Sequence, residues 1–111
     1  FELFDSYSIY AVLSLEAAGF AEPGQGWRLA QNDGAPPAIS LQGSMPIATM
    51  GGLKARGNPG GATGVYQAAE ATLQLRGGAG NNQIPEASRA LIQCLGGPAS
   101  TACTHVLERL E

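Results

Sequence analysis

Apolar and polar residues along the chain follow two periods, and the changes between them mark out its elements. Phe1 to Phe4 is a short apolar run that reads as a strand, and Asp5 or Ser6 after it could cap a helix. Ile9, Val12, Leu13 and Glu16 to Ala18 recur at helical spacing up to Gly19, a natural stop. Phe20 to Pro37 carries Pro23-Gly24, Asp33-Gly34 and Pro36-Pro37 and reads as a loop excursion, with Trp27 expected to anchor it on the body. Ile39 to Ile47 has weak strand character, interrupted by Gly43 and Pro46. Val65, Ala68, Ala69, Thr72, Leu73 and Arg76 lie on one helical face and predict an amphipathic helix ending near Arg76. Gly77 to Pro85 reads as a second loop. Ala90 to Leu95 is a compact apolar run, and Thr101 to Leu107 alternates as a strand does, although pattern alone also allows a helix there. The turn Gly96-Gly97-Pro98 between them would make the two runs neighbouring strands. Strand, helix, strand, helix and two closing strands predict an α/β layer with a mixed sheet, and no internal repeat is visible.

Residues 51–64 obey neither period. Six glycines and one proline stand there, so the constraint is geometric: positive φ, close backbone approach and one fixed φ at Pro59. The stretch reads as a tight turn feeding the N-terminus of the second helix, an end that presents free N–H groups to anionic groups or oxyanions. It is not a phosphate loop, because Gly57 is followed by Asn58 and Pro59 where Gly-Lys-Ser/Thr is needed, and it lacks the G-x-G-x-x-G of dinucleotide binders.

Composition narrows the picture further. A chain of 111 residues supports one small domain burying roughly 65% of its unfolded surface. A net charge of −3 with only six scattered basic residues argues against nucleic acid or an anionic membrane as partner. No apolar run is long enough to span a membrane and no leader pattern is present. Cys94 and Cys103 are too few for a disulfide framework, so a reducing cytoplasm is the expected location. His105 cannot complete a metal site with them on a standard spacing. His105 and Cys103 therefore read as structural. The chain opens on an apolar element without an initiator methionine, as an excerpt of a longer protein or a processed product would.

The glycine-rich stretch, Gly-Gly-Leu-Lys-Ala-Arg-Gly-Asn-Pro-Gly-Gly-Ala-Thr-Gly, resembles the signature of the thiolase superfamily, G-G-L-K-A-K-G-H-P-x-G-A-T-G. Asn58 is the outright departure, standing where the family has histidine. The resemblance extends over nearly the whole chain. Glu2 to Phe20 is similar to the family's E-x-N-E-A-F or H-D-A-F strand and following helix, Leu75 to Pro85 to its Q-L-R-G-x-A-G-x-x-Q-x-P segment, and Leu91 to Thr101 to its last glycine-rich loop. Archaeal and lipid-transfer-type thiolases are the nearest in character. The resemblance implies that residues 1–111 form one partial domain of the C-terminal half, with the N-terminal half and its acylated cysteine lying elsewhere. It implies a coenzyme A thioester as substrate, no covalently bound cofactor and no metal. The implied partners are the missing half or a sister chain, a second copy in a homo-oligomer, and, for aldolase-like relatives, a small zinc-ribbon and OB-fold protein.

The same resemblance assigns roles. Asn58 takes the place of the histidine that activates the nucleophile and lines an oxyanion hole; an amide can donate there but cannot accept a thiol's proton. Asparagine before Pro59 is equally suited to satisfying a turn, so both readings stand. Cys94 aligns with the family's second catalytic cysteine, or else is a small buried hydrophobe. Gly57, Gly61, Gly96 and Gly97 are implied as the backbone approached by the acyl-CoA. Phe4 and Asp5 replace Asn-Glu or His-Asp, and phenylalanine cannot position a water. Tyr7 and Tyr10 are weak acid–base candidates, since a phenol does not ionise near neutrality unaided, and Tyr7 is expected to pack. Two function classes follow: an altered thiolase-like acyltransferase or retro-aldolase, and a non-catalytic thiolase-derived module that binds acyl-CoA or lipid or serves in assembly.

Overall fold

In the computed structural model, residues 1–97 and 99–110 are described; Pro98, part of the expected turn, lies outside them. Helix α1 spans Ser8–Ala17, α2 Gly52–Arg56 and α3 Thr63–Leu75, and strands β1 (Arg89–Gly96) and β2 (Thr101–Glu108) close the chain as an antiparallel hairpin. Glu2 adds a parallel bridge on the other side of β1: its N–H donates to the Leu91 carbonyl at 2.8 Å and its carbonyl accepts from the Gln93 N–H at 2.8 Å. The small sheet is therefore mixed, and β1 is its central strand. A radius of gyration of 13.4 Å is that of a folded chain of this length.

Both longer helices end as their glycines dictate. Gly19 (φ +80°) and Gly77 (φ +71°) follow the last helical turns of α1 and α3, and the next N–H turns back, Phe20 to the Leu15 carbonyl at 2.9 Å and Gly78 to the Leu73 carbonyl at 2.8 Å. The start of α1 differs from expectation. Its N-cap is Tyr7, with no side-chain cap, because Asp5 caps a different helix: its carboxylate accepts the Leu53 N–H at the start of α2 at 2.7 Å. Gly52 (φ +62°) is obligatory beside it, since an added Cβ would stand 2.3 Å from the Asp5 carboxylate.

Ile39 to Ile47 forms no strand. Pro37 and Pro46 lack N–H donors, and Gly43 is folded so tightly that a Cβ there would lie 2.1 Å from the Ala38 carbonyl oxygen. The segment closes as a loop instead, Met45 N–H donating to the Ala38 carbonyl at 2.8 Å and Ile47 N–H to that of Ile39 at 3.1 Å. Trp27 does not anchor the long loop by burial. It is 48% exposed, held by its own neighbours through Nε1 to the Gly24 carbonyl at 3.2 Å and by Arg28 over its ring at 5.5 Å.

The core is small: Leu3, Leu15, Leu53, Ala71, Leu75, Ala79 and Ile92. Helix α3 packs on β1 with Thr63, Gln67, Glu70, Ala71, Gln74 and Leu75, a largely polar face. Much of its polarity is met by specific bonds, with Gln67 Oε1 and Glu70 Oε2 left buried without a hydrogen-bond partner among the described residues. Gln67 Nε2 donates to the Gln93 carbonyl at 3.0 Å, and Glu70 pairs with Arg56 of α2, whose guanidinium also lies over the Tyr66 ring at 5.2 Å. Gln74 Nε2 donates to Thr49 Oγ1 at 2.8 Å and to the Asn82 carbonyl at 2.6 Å, while its Oε1 accepts the Ile84 N–H at 2.8 Å. Gln83 completes this lock, donating to the Gln74 and Ile84 carbonyls at 2.9 Å and accepting the Ala79 N–H at 3.0 Å. The apolar stripe Val65, Ala68, Ala69, Thr72, Leu73 and Arg76 faces away from the sheet and lines an open groove of about 770 Å³.

Candidate functional site

Between the end of α2 and the start of α3 the chain must reverse without side chains in the way. Gly57 (φ +99°) leaves α2, Asn58 and Pro59 follow, and Gly60 (φ +61°) enters a single 3₁₀ turn, Gly60–Ala62, that runs into α3. Asn58 holds this corner. Its Oδ1 accepts the Gly60 N–H at 2.9 Å and lies 3.4 Å from Thr63 Oγ1, whose single hydrogen is donated to the Gly60 carbonyl at 2.8 Å. A backbone N–H can only donate, so the amide atom facing Gly60 is oxygen. The Nδ2 hydrogens are left without a bond to any described residue.

This corner and the hairpin enclose one groove of about 430 Å³, which Asn58, Gly60 and Gly61 line from one side and Cys94, Leu95, Gly96, Gly97, Thr101 and Cys103 from the other. Phe4 stands in it as well, its ring centroid 6.1 Å from that of Tyr10. Cys94 is half-buried beneath the first turn of α3: a Cβ at Gly64 would lie 3.7 Å from its Sγ. Of the residues singled out in the sequence, the structure gathers Asn58, Cys94, Gly61, Gly96, Gly97 and Phe4. Gly57 lines a smaller neighbouring pocket of about 200 Å³ that shares Asn58 and includes Arg56 and Tyr66. Tyr7 is 66% exposed, its ring edge-on to Tyr10 at 5.7 Å instead of packed in the core.

The chain matches the family model for thiolase C-terminal domain-like proteins over residues 1–109. It belongs to that family. It is 44% identical over 108 residues to an acetyl-CoA acetyltransferase of Methanothermobacter thermautotrophicus, covering 97% of this chain and 27% of that protein. It is 41% identical over 95 residues to sterol carrier protein 2 of Rattus norvegicus, covering 86% of this chain and 17% of that protein. A Caenorhabditis elegans non-specific lipid-transfer protein-like 2 is 36% identical over 96 residues, 86% of this chain and 22% of that protein. The thiolase-family chain thus spans about a quarter or less of the length of these relatives.

Cys103 and His105 depart from their sequence reading. Both are exposed, Cys103 lines the groove, and its Sγ lies 3.3 Å from His105 Nε2. The signal for Cys103 was present in the hairpin: counting outward from the turn with one partner per residue places it opposite Cys94. Glu2, also unremarked in the sequence, is a buried carboxylate. Burial pushes it from an ordinary 4.5 up to about 7, Asp5 adding to the rise while the amino group of Phe1 and Arg56 oppose it. Among the described residues no helix is long and apolar enough to cross a membrane.

Proposed function

We propose that residues 1–111 are one partial domain, the C-terminal part of a thiolase-like protein that makes or breaks carbon–carbon bonds on coenzyme A thioesters, with altered chemistry at Asn58. The observation that carries this reading is the common groove: three separate motifs of the sequence, around Phe4, Asn58 and Cys94, meet on one surface. Asn58 Nδ2 is the donor for a thioester oxygen, Cys94 the thiol for proton movement at the attacking carbon, and Gly61, Gly96 and Gly97 the side-chain-free walls. Gly57, lining the neighbouring pocket that shares Asn58, is a further side-chain-free position for the acyl-CoA to approach. The relative named acetyl-CoA acetyltransferase supports the substrate class.

An amide cannot act as a base, so the full-length protein is a poor thiolase. The test is thiolysis of acetoacetyl-CoA with and without Asn58→His. Slow turnover that rises by about 10² to 10⁴ in the variant is the expected result; rapid thiolysis by the unaltered protein overturns the reading.

The second reading, a module that holds acyl-CoA or lipid without turnover, is favoured by the commitment of Asn58 Oδ1 to its own loop and by the relatives named for sterol carriage and lipid transfer. Calorimetric binding of an acyl-CoA with no turnover in either form selects it. The proposed partners are an N-terminal half or sister chain, a second copy, and a zinc-ribbon and OB-fold protein if the parent is aldolase-like; the proposed location is the cytoplasm.

A further inference from the structure

Cys94 on β1 and Cys103 on β2 stand directly opposite each other in the hairpin register, and both line the groove. The Leu91 carbonyl and the Gln93 N–H of β1 bond to Glu2, on the side away from β2. Peptide groups alternate sides along a strand, so those of Cys94 turn toward β2. The same phase holds where the hairpin begins, with Arg109 N–H donating to the Ser88 carbonyl at 2.9 Å. Cys94 and Cys103 are therefore a hydrogen-bonded pair, whose Cα atoms are about 5.5 Å apart in antiparallel sheets, inside the Cα span of about 4.4 to 6.8 Å of disulfides. Their Cβ atoms, about 5.5 Å apart in such a pair, must draw together to about 4.5 Å or less, so that the closed bond is strained and more reducible. Both thiols are free. They are also unequal: Cys103 is exposed with an imidazole nitrogen 3.3 Å from its sulfur, while Cys94 is sheltered under α3.

We propose that Cys94 and Cys103 form a reversible dithiol site, closed to a cross-strand disulfide by exchange with a small-molecule disulfide. His105 takes the proton of Cys103, and the thiolate attacks one sulfur of the incoming disulfide. That S–S bond breaks, and the first leaving thiolate takes up the proton. Cys94 then attacks the Cys103 sulfur of the mixed disulfide, its proton passing to the second leaving thiolate. Two protein thiols are oxidised to one disulfide, and the small disulfide is reduced to two thiols. Closure ties up the Cys94 thiol within the groove, and a strained cross-strand bond with one sulfur on an exposed residue is of the readily reduced, regulatory kind. The consequence for coenzyme A chemistry rests on the function proposed above; the disulfide itself does not.

Treatment of the protein with oxidised glutathione, followed by intact mass measurement and peptide mapping, tests this. The expected product has lost two hydrogens, carries a peptide linking Cys94 to Cys103 and returns to the dithiol with dithiothreitol. Cys94→Ser stops at glutathione on Cys103, and in that background His105→Gln slows alkylation of Cys103 by iodoacetamide roughly tenfold with unchanged far-ultraviolet dichroism. Stable glutathione on both cysteines, a bond between two chains, or no oxidation overturns the proposal, and equal alkylation rates overturn the part given to His105. The mapping uses the unaltered protein, so a misfolded variant cannot obscure it, and failure to bind coenzyme A esters leaves the mass result standing.

Discussion

Glu2 shows how one side chain can make stability depend on pH. Its folded-state pKa of about 7 lies above its ordinary 4.5, chiefly because it is buried. Between these values the folded chain holds a proton that the unfolded chain has released, so its contribution is greatest below pH 4.5 and is lost as pH rises through 7. The difference is on the order of 3 kcal/mol. Comparison of denaturant midpoints for the unaltered chain and Glu2→Gln at pH 5 and pH 8 is expected to show the variant gaining stability relative to the unaltered chain at the higher pH. A constant difference at both would contradict the assignment. Asn58 makes a different point: one amide oxygen secures the corner while its nitrogen remains to donate, so a turn residue and an oxyanion donor are compatible roles for one side chain.

Helix α2 is only five residues long and depends on its surroundings. Asp5 supplies the missing N-terminal acceptor from 48 positions away, and Gly52 makes room for it. Gly52→Ala combines backbone strain at φ +62° with a collision against a buried carboxylate, and is expected to cost on the order of 3 kcal/mol in chemical denaturation. Gly34→Ala, at φ +88° in open space, isolates the strain and should cost about 1 kcal/mol. Equal losses would mean that the Asp5 contact contributes nothing. Helix α3 carries the opposite lesson, for its apolar stripe looks outward and its polar face looks in. Buried Gln74 is satisfied at both ends by Thr49 and a folded loop, while Gln67 and Glu70 each meet one fixed partner, a backbone carbonyl and an arginine, through one of their two polar atoms.

The outward stripe governs how the whole chain behaves in solution. Val65 is 72% and Leu73 41% exposed along α3, and Val106 is 70% exposed on β2. Among the described residues no further strand pairs with β2. An uncovered apolar groove and an open sheet edge favour association. Sedimentation equilibrium is expected to give a mass above the 11.3 kDa of one chain, with Leu73→Lys shifting it back toward the monomer. A compact monomer at high concentration that does not bind a hydrophobic dye would refute this.

Local rules settled much of this protein. The glycines that stop α1 and α3, helix α3 itself, the closing hairpin and the corner at Asn58 are short-range events, written in φ preferences and in periods of 3.6 and 2. Which helix Asp5 caps, which face of α3 turns to the sheet, and the meeting of Asn58 with Cys94 were decided only by the folded chain. Each depends on groups tens of residues apart, and a buried glutamine reveals itself as core only once its partner is in place. Periodicity identifies an apolar stripe but not what covers it, and the stripe of α3 faces away from the sheet.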